Sequence, residues 1–308
     1  GIDYYALGLI FLSISTTVGA ANFVVTIAKL RAPGMTIARL PLFCWAILSM
    51  AVAVLFALPA LTLANVFLVL QRTFGFHFFE PAQGGDPVLW QHLFWLFGHP
   101  DVYIIFLPAV GIVSSVVATS ARREIVAYHW LAAATAVTGF IGFGVWVHHM
   151  FAVGLPRISL GFFSAASMLI AIPSAIQVFA WLATLLTGRT VIRTSLRFVL
   201  GFLVLFVIGG VTGVMFAAVP FDQQATDSYF VVAHFHYVLF GGAVFPIFAG
   251  FYHWFPKFCG RLPSERAGRW SFWLMFVGFN ATFFPMHVMG LLGMPRRIRT
   301  YDDGLGWD

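Results

Sequence analysis

Apolar residues fill this chain in runs too long and too continuous for strands, or for the half-buried helices of a soluble domain. Eight such runs lie at about 5–28, 41–69, 90–118, 126–153, 161–187, 195–219, 229–255 and 270–293, joined mostly by short polar links. Each meets the roughly 20 residues that a helix needs to cross a bilayer. None alternates apolar and polar residues as the strands of a membrane barrel do. Lipid forces backbone groups to pair within helices or within a closed barrel. The pattern therefore predicts an all-α membrane protein, one polytopic transmembrane helix bundle forming a single domain over 1–308, with no soluble domain or repeat between spans.

Composition agrees: 60% of residues are hydrophobic, 9% are charged, and the mean hydropathy is +0.91. The net charge of +6 resides in the links and requires no nucleic acid. The cysteines, Cys44 and Cys259, form no metal-binding or disulfide pattern. Gly1-Ile2-Asp3 leads almost directly into the first run, without a methionine or the basic region of a signal peptide. The expectation is that N-terminal segments of a longer protein are absent.

Charge also orients the bundle. The links after the first, third, fifth and seventh runs carry Lys29, Arg31, Arg39, Arg122, Arg123, Arg189, Arg193, Arg197, Lys257, Arg261, Arg266 and Arg269, twelve of the seventeen basic residues. Those links should face the cytoplasm. Arg72, Arg157, Arg296, Arg297 and Arg299 fall on the other side, with most of the acids.

Against this background the histidines stand out. His234 and His236 lie two residues apart within Val231–Leu239. Helical neighbours at that spacing point about 200° apart, so the two can serve different partners on opposite faces. His99 and Tyr103, in Gly98-His99-Pro100-Asp101-Val102-Tyr103, share a helix face at i and i+4. Asp101 points away from that face; in hydrocarbon it requires a proton, water or a helix-interface hydrogen bond. His148 and His149 close the fourth run, and on a helix their directions differ by about 100°, so both can reach one ion. Imidazole suits copper, iron, zinc and nickel.

Depth joins these motifs. His99 lies roughly 14 Å into its run from the outer side, His148 and His149 roughly 8 Å, and His234 and His236 roughly 8–10 Å, at about 1.5 Å per residue. Five histidines on three helices share one layer, which implies a buried metal centre. Ser174 and Gln177 lie deeper, as carriers of water or as helix partners. Thr212, beside Gly209 and Gly210, is open to both readings, and Asn22 and Thr26 read as contacts between helices. His287 approaches the same layer, while His129 and His253 lie at span ends and His77 in a link. Arg296 and Arg297 follow the last run on the outer side, where the bidentate guanidinium fork suits the propionates of a haem.

With His99-Pro100-Asp101-Val102-Tyr103, His148-His149 and His234-Phe235-His236 in place, the chain resembles subunit I of the haem–copper oxygen reductases, of the cytochrome c oxidase type. The resemblance covers essentially the whole chain, as helices four to eleven of a twelve-helix core. It implies a catalytic subunit that reduces O2 to water at a haem–copper centre, with possible coupled proton pumping. Copper would be held by His99, His148 and His149, the high-spin haem by His234, the low-spin haem by His236 and the propionates by Arg296 and Arg297. Tyr103 corresponds to the tyrosine joined covalently to a copper-ligand histidine, a source of a proton and an electron. The second low-spin-haem ligand belongs to an earlier helix of the family core.

The chain departs from the family pattern at four places. Asp101 stands where glutamate is common, and Gln177 where a lysine serves the second proton channel. Thr226–Asp227 replaces the His–Asp pair of an outer magnesium site, so that Asp227 alone remains of it, and Met286 replaces a polar residue. The proton path would then comprise Asp101, Ser174, Gln177 and Thr212. The resemblance further implies partners of the subunit II and III type, cytochrome c or quinol as donor, surrounding lipid, and a bacterial inner (cytoplasmic) membrane. Rival readings are a nitric-oxide reductase, whose non-haem iron has a nearby carboxylate and which lacks the tyrosine, and a cofactor-free transporter or structural paralogue.

Overall fold

The computed structural model describes residues 1–300 and 304. Among them it shows no strand, one isolated antiparallel bridge between Ser228 and Pro295, and an otherwise helical chain. The α-helices are α1 (Ile2–Lys29), α2 (Leu42–Phe74), α3 (Pro87–Ala121), α4 (Tyr128–Ile141), α5 (Arg157–Leu169), α6 (Ala171–Thr187), α7 (Thr194–Ala217), α8 (Val219–Ala225), α9 (Tyr229–His236), α10 (Phe245–Cys259) and α11 (Glu265–Leu291). A π-helical segment, Tyr237–Val244, joins α9 to α10.

Among the described residues, seven helical stretches are long and apolar enough to cross a membrane, where the pattern of apolar runs predicts eight. The difference is the fourth run. Its α-helix ends at Ile141 and the chain continues through two 3-10 turns, Gly142–Gly144 and Trp146–Met150. Glycines at 139, 142 and 144 weaken the helix there, because glycine gives up more backbone freedom than any other residue on becoming helical. Packing adds a second cause: a Cβ on Gly142 would meet the Tyr103 ring at 2.8 Å. His148 and His149 therefore leave a 3-10 turn, not the α-helix expected for them. The fifth run divides at Ile170 into α5 and α6, and the short α8 was not foreshadowed by any periodicity. Asn22 and Thr26, expected between helices, instead bond each other within α1 on its exposed side (Thr26 Oγ1 to Asn22 Oδ1, 3.2 Å).

The chain divides into two compact units, one of residues 1–108 and 129–173, the other of residues 109–128 and 174 onward. In the first, α1 packs along α2. Ala20 of α1 and Ala51, Val54, Leu58 and Leu61 of α2 form one buried cluster, with Phe94, Phe97 and Ile104 of α3 against it. Arg72 of α2 pairs with Asp3 of α1 at one end. In the second unit α7 is the central helix, packed against α9, the π segment, α10 and α11. Glycines set the spacing again, since a Cβ on Gly209 would lie 2.7 Å from Val238 and one on Gly241 2.7 Å from Leu205. Tyr237, fully buried, donates its hydroxyl hydrogen to Asn280 Oδ1 at 2.7 Å and ties the π segment to α11.

Candidate metal centre

In the first unit, α3 and the 3-10 turn bring His99, His148 and His149 together, with a ring nitrogen from each inside a set spanning 4.8 Å. His99 Nδ1 stands 3.1 Å from His149 Nε2. Ring centroids are 4.4 Å apart for His99–His148 and for His148–His149. Imidazoles at this spacing either share a hydrogen or converge on one cation.

The hydrogen on His148 can be placed by elimination. Ser167 Oγ, on α5, lies 2.6 Å from the Phe163 carbonyl and donates its single hydrogen there. Toward His148 Nδ1, 2.8 Å away, the hydroxyl can then only accept. Nδ1 of His148 is thus the protonated nitrogen, and Nε2 keeps its lone pair for a metal. The arrangement is the usual one for metal-ligating histidines, whose far nitrogen donates to a fixed acceptor. His149 is held by stacking: the Trp95 ring lies 3.8 Å from it, with an interplanar angle of 8°. Trp146 Nε1–H donates to His92 Nδ1 at 3.2 Å and anchors the turn two residues before His148.

His99 is buried, with its Nε2 enclosed and without a hydrogen-bond partner. The Tyr103 ring centroid is 4.7 Å from the His99 ring, one helical turn on. Asp101 is half-buried and makes no hydrogen bond or ion pair among the described residues.

In the second unit the same elimination applies to α9. Thr212 Oγ1 donates to the Gly209 carbonyl at 2.9 Å and stands 2.9 Å from His234 Nδ1. His234 Nδ1 therefore carries the hydrogen and its Nε2 the lone pair. A Cβ on Gly213 would come within 3.1 Å of the His234 ring, so α7 fits closely around it. His236 Nδ1–H donates to the Val232 carbonyl at 2.8 Å, one turn back on its own helix. Phe283 of α11 stacks on the His236 ring at 3.8 Å. Both histidines lie within the regular α9, so the opposed directions expected from their spacing hold.

The remaining expected residues fall as follows. Thr212 sits on His234 as described. Gln177 is fully buried, and neither of its amide atoms has a partner. Ser174 is half-buried on the same helix. The Ser228–Pro295 bridge and the Arg296 N–H bond to the Asp227 carbonyl (2.8 Å) hold the arginine pair beside Asp227. The Asp227 carboxylate takes Arg296 at 2.9 Å and lies 3.6 Å from Arg297.

Sequence reasoning missed Ser167, the role of Trp95 and Asp222. Trp95 could have been found, since it precedes His99 by one helical turn. Ser167 comes from another helix and leaves no spacing signal. Asp222, on α8 outside the spans, is buried, and its carboxyl pKa is pushed up to about 7, first by desolvation and then by the charge of Asp227.

Helices able to cross a membrane, with a three-histidine cluster that could hold a metal ion (His99 buried, His148 half-buried, His149 exposed), mark the class of membrane metalloproteins. The family model for cytochrome c and quinol oxidase polypeptide I matches residues 1–308, and the chain belongs to that family. It is 48% identical over 308 residues to cytochrome c oxidase subunit 1 of Bacillus sp. (strain PS3), covering all of this chain and 50% of that protein. It is 46% identical over 307 residues to quinol oxidase subunit 1 of Bacillus subtilis (strain 168), covering all of this chain and 47% of the relative. The chain thus spans about half the length of the curated relatives it matches. A solved haem–copper terminal oxidase dimer shares the fold, with a TM-score of 0.73, 21% identity, and coverage of 84% of this chain and 48% of that one.

Proposed function

We propose that this chain forms the metal-holding part of the catalytic subunit of a respiratory terminal oxidase, reducing O2 with four electrons and four protons to two waters. The observation that carries the reading is the cluster of His99, His148 and His149 in unit one, with the His148 hydrogen fixed on Nδ1 by Ser167. The donor set fits copper: three imidazoles without a carboxylate among the described residues, a set suited to a borderline metal. The ligating atoms would be Nδ1 of His99 and Nε2 of His148 and His149. His234 and His236, each with Nε2 free, fit axial ligation of the high-spin and low-spin haems. When bound, haem iron and copper supply the open coordination position for O2 and the electrons that reduce it.

The chain's own residues do the rest. The enclosed His99 Nε2 and the nearby Tyr103 ring support the covalent junction that the resemblance implies. Its formation would remove one hydrogen from each ring, with O2 as the oxidant. Tyr103 would then donate a proton and an electron from its phenol. Asp101 and Ser174 are assigned to proton supply. Gln177 keeps the polarity of a proton path but carries no titratable proton. Arg296 and Arg297 would receive the propionates, in competition with Asp227, and Asp227 is the candidate magnesium ligand. The donor, cytochrome c or quinol, partners of the subunit II and III type, and placement in the bacterial inner membrane belong to the same proposal. Nitric-oxide reduction is less well supported, because Tyr103 is present and no carboxylate among the described residues joins the three-histidine cluster.

The test is a reduced-minus-oxidised and CO-difference spectrum with metal analysis, on membranes carrying the full-length protein. Two haems, one binding CO, with one copper per chain, is the expected result. Non-haem iron in place of copper would overturn the oxidase reading, and absence of haem would overturn any redox role.

A further inference from the structure

The basic residues beyond α3 and α6 are brought together by specific backbone contacts in the second unit. Arg122 follows α3 in the left-handed conformation, at φ 54°, which residues with a side chain adopt only at a cost. The chain then folds over the end of α6: Arg123 donates to the Thr187 carbonyl and hydroxyl, and the Val126 N–H to Thr184 Oγ1 at 2.9 Å. After α6 the chain returns, with the Arg189 N–H on the Ala121 carbonyl and the Val191 N–H on the Ser120 carbonyl, both at 2.9 Å. Gly188 makes that return possible, because a Cβ there would lie 2.5 Å from the Ala121 oxygen. Arg189 is therefore fixed beside Arg122 and Arg123, and all three are exposed.

Their charge has little to neutralise it. Glu124 is the single acid in 122–127 and 188–193. Glu265, the acid of another link on the same side by the charge pattern, is engaged by the N–H and hydroxyl of Thr194 (2.9 and 2.8 Å) and by Arg197. Arg122 and Arg189 pair with no carboxylate among the described residues. Beside them, Leu186 and Ile192 are 83% and 55% exposed. Clustered arginines at the end of membrane-spanning helices, with apolar side chains at their margin, match the two halves of a phospholipid.

We propose that Arg122, Arg123 and Arg189 bind the phosphodiester headgroup of an anionic phospholipid, with Leu186 and Ile192 against its acyl chains. The guanidinium fork matches phosphate oxygens two at a time. The site lies on the side that the charge distribution assigns to the cytoplasm, and it does not depend on the haem–copper reading. A free phosphate shares the headgroup chemistry but makes no use of the apolar margin.

The experiment compares the full-length protein with Arg122→Gln/Arg189→Gln and with a control of equal charge loss on the same side, Arg39→Gln/Arg261→Gln. Binding of labelled phosphatidylglycerol and phosphatidylcholine is measured in nanodiscs, with inorganic phosphate as competitor. The proposal predicts preferential binding of phosphatidylglycerol that weakens roughly tenfold or more in the first variant. The control should retain it, and millimolar phosphate should compete poorly. Equal weakening in both variants would reduce the effect to diffuse charge and overturn the proposal. Efficient displacement by phosphate would make this a free-anion site and overturn the lipid assignment. If the double variant fails to fold, Arg189→Gln alone gives the same reading, since no side-chain hydrogen bond of Arg189 is lost.

Discussion

In the three-histidine cluster His148 is oriented from outside its own segment, by a hydroxyl on α5, whereas on α9 His236 is oriented by a carbonyl of its own helix. Two of the cluster's histidines, His148 and His149, sit on a 3-10 turn where glycines have broken the α-helix, and their ring positions depend on α5, Trp95 and the Trp146–His92 bond. The α9 pair inherits its directions from regular helical geometry. His234 lies between these cases, since it stands within the regular α9 while Thr212 of α7 faces its Nδ1 at 2.9 Å. A site built on a broken helix is therefore more sensitive to loss of one supporting group than a site built into an unbroken one.

That comparison can be broken most forcefully at the ligands. His148→Ala is expected to remove copper from the purified full-length protein while both haems remain, as read by metal analysis beside the optical spectrum. Loss of a haem with the copper would mean that the two sites are not separately supported. Next in size, Ser167→Ala deprives the His148 Nδ1–H of its acceptor and should weaken copper retention against a chelator by about 10–100-fold. Ser167→Thr should restore it. Unchanged retention in Ser167→Ala would remove the external device from the account.

Gly142→Ala should cost about 1–3 kcal/mol, as overpacking does, because the new methyl group meets the Tyr103 ring at 2.8 Å. Thermal unfolding in detergent measures it, and a neutral result would show that the turn has room to adjust. Thr212→Val should have a smaller effect on haem retention, at most a few-fold, since His234 keeps the direction that the regular α9 gives it. A loss as large as that of Ser167→Ala would erase the contrast between the two sites.

The smallest expected effect is a pH dependence outside the spans. The folded chain raises the Asp222 carboxyl from its ordinary 3.8 to about 7, so the folded state binds this proton more tightly than the unfolded state. Its contribution to stability is complete below about pH 3.8 and is lost as pH rises through 7. Melting temperature should fall more steeply between pH 4 and 7 in the parent than in Asp222→Asn, and the difference should level off above that. Parallel curves would show that the carboxyl is not held protonated.

The same contrast explains what could be read from the sequence. Hydropathy located the spans because crossing a bilayer demands long apolar helices, and the i, i+2 spacing of His234 and His236 was sufficient on a regular helix. The fourth run was misread as one continuous helix because apolar content does not report glycine-driven breaks or the Tyr103 ring lying against Gly142. His148 and His149 were recognisable as a pair, but their geometry was not. Ser167, nineteen positions from His148, became relevant only through the packing of another helix. Asp222 gave no signal in the sequence, because burial in the fold, which raises its carboxyl pKa, leaves no mark on its neighbours along the chain.

The central claim is that three imidazoles, from His99, His148 and His149, hold one copper. Copper K-edge X-ray absorption on the purified full-length protein tests it most directly, with the parent compared with Ser167→Ala and His148→Ala. Three imidazole nitrogens around one copper in the parent, with copper depleted in Ser167→Ala and lost in His148→Ala, is the predicted result. Copper bound with the same coordination in the parent and in His148→Ala would contradict it.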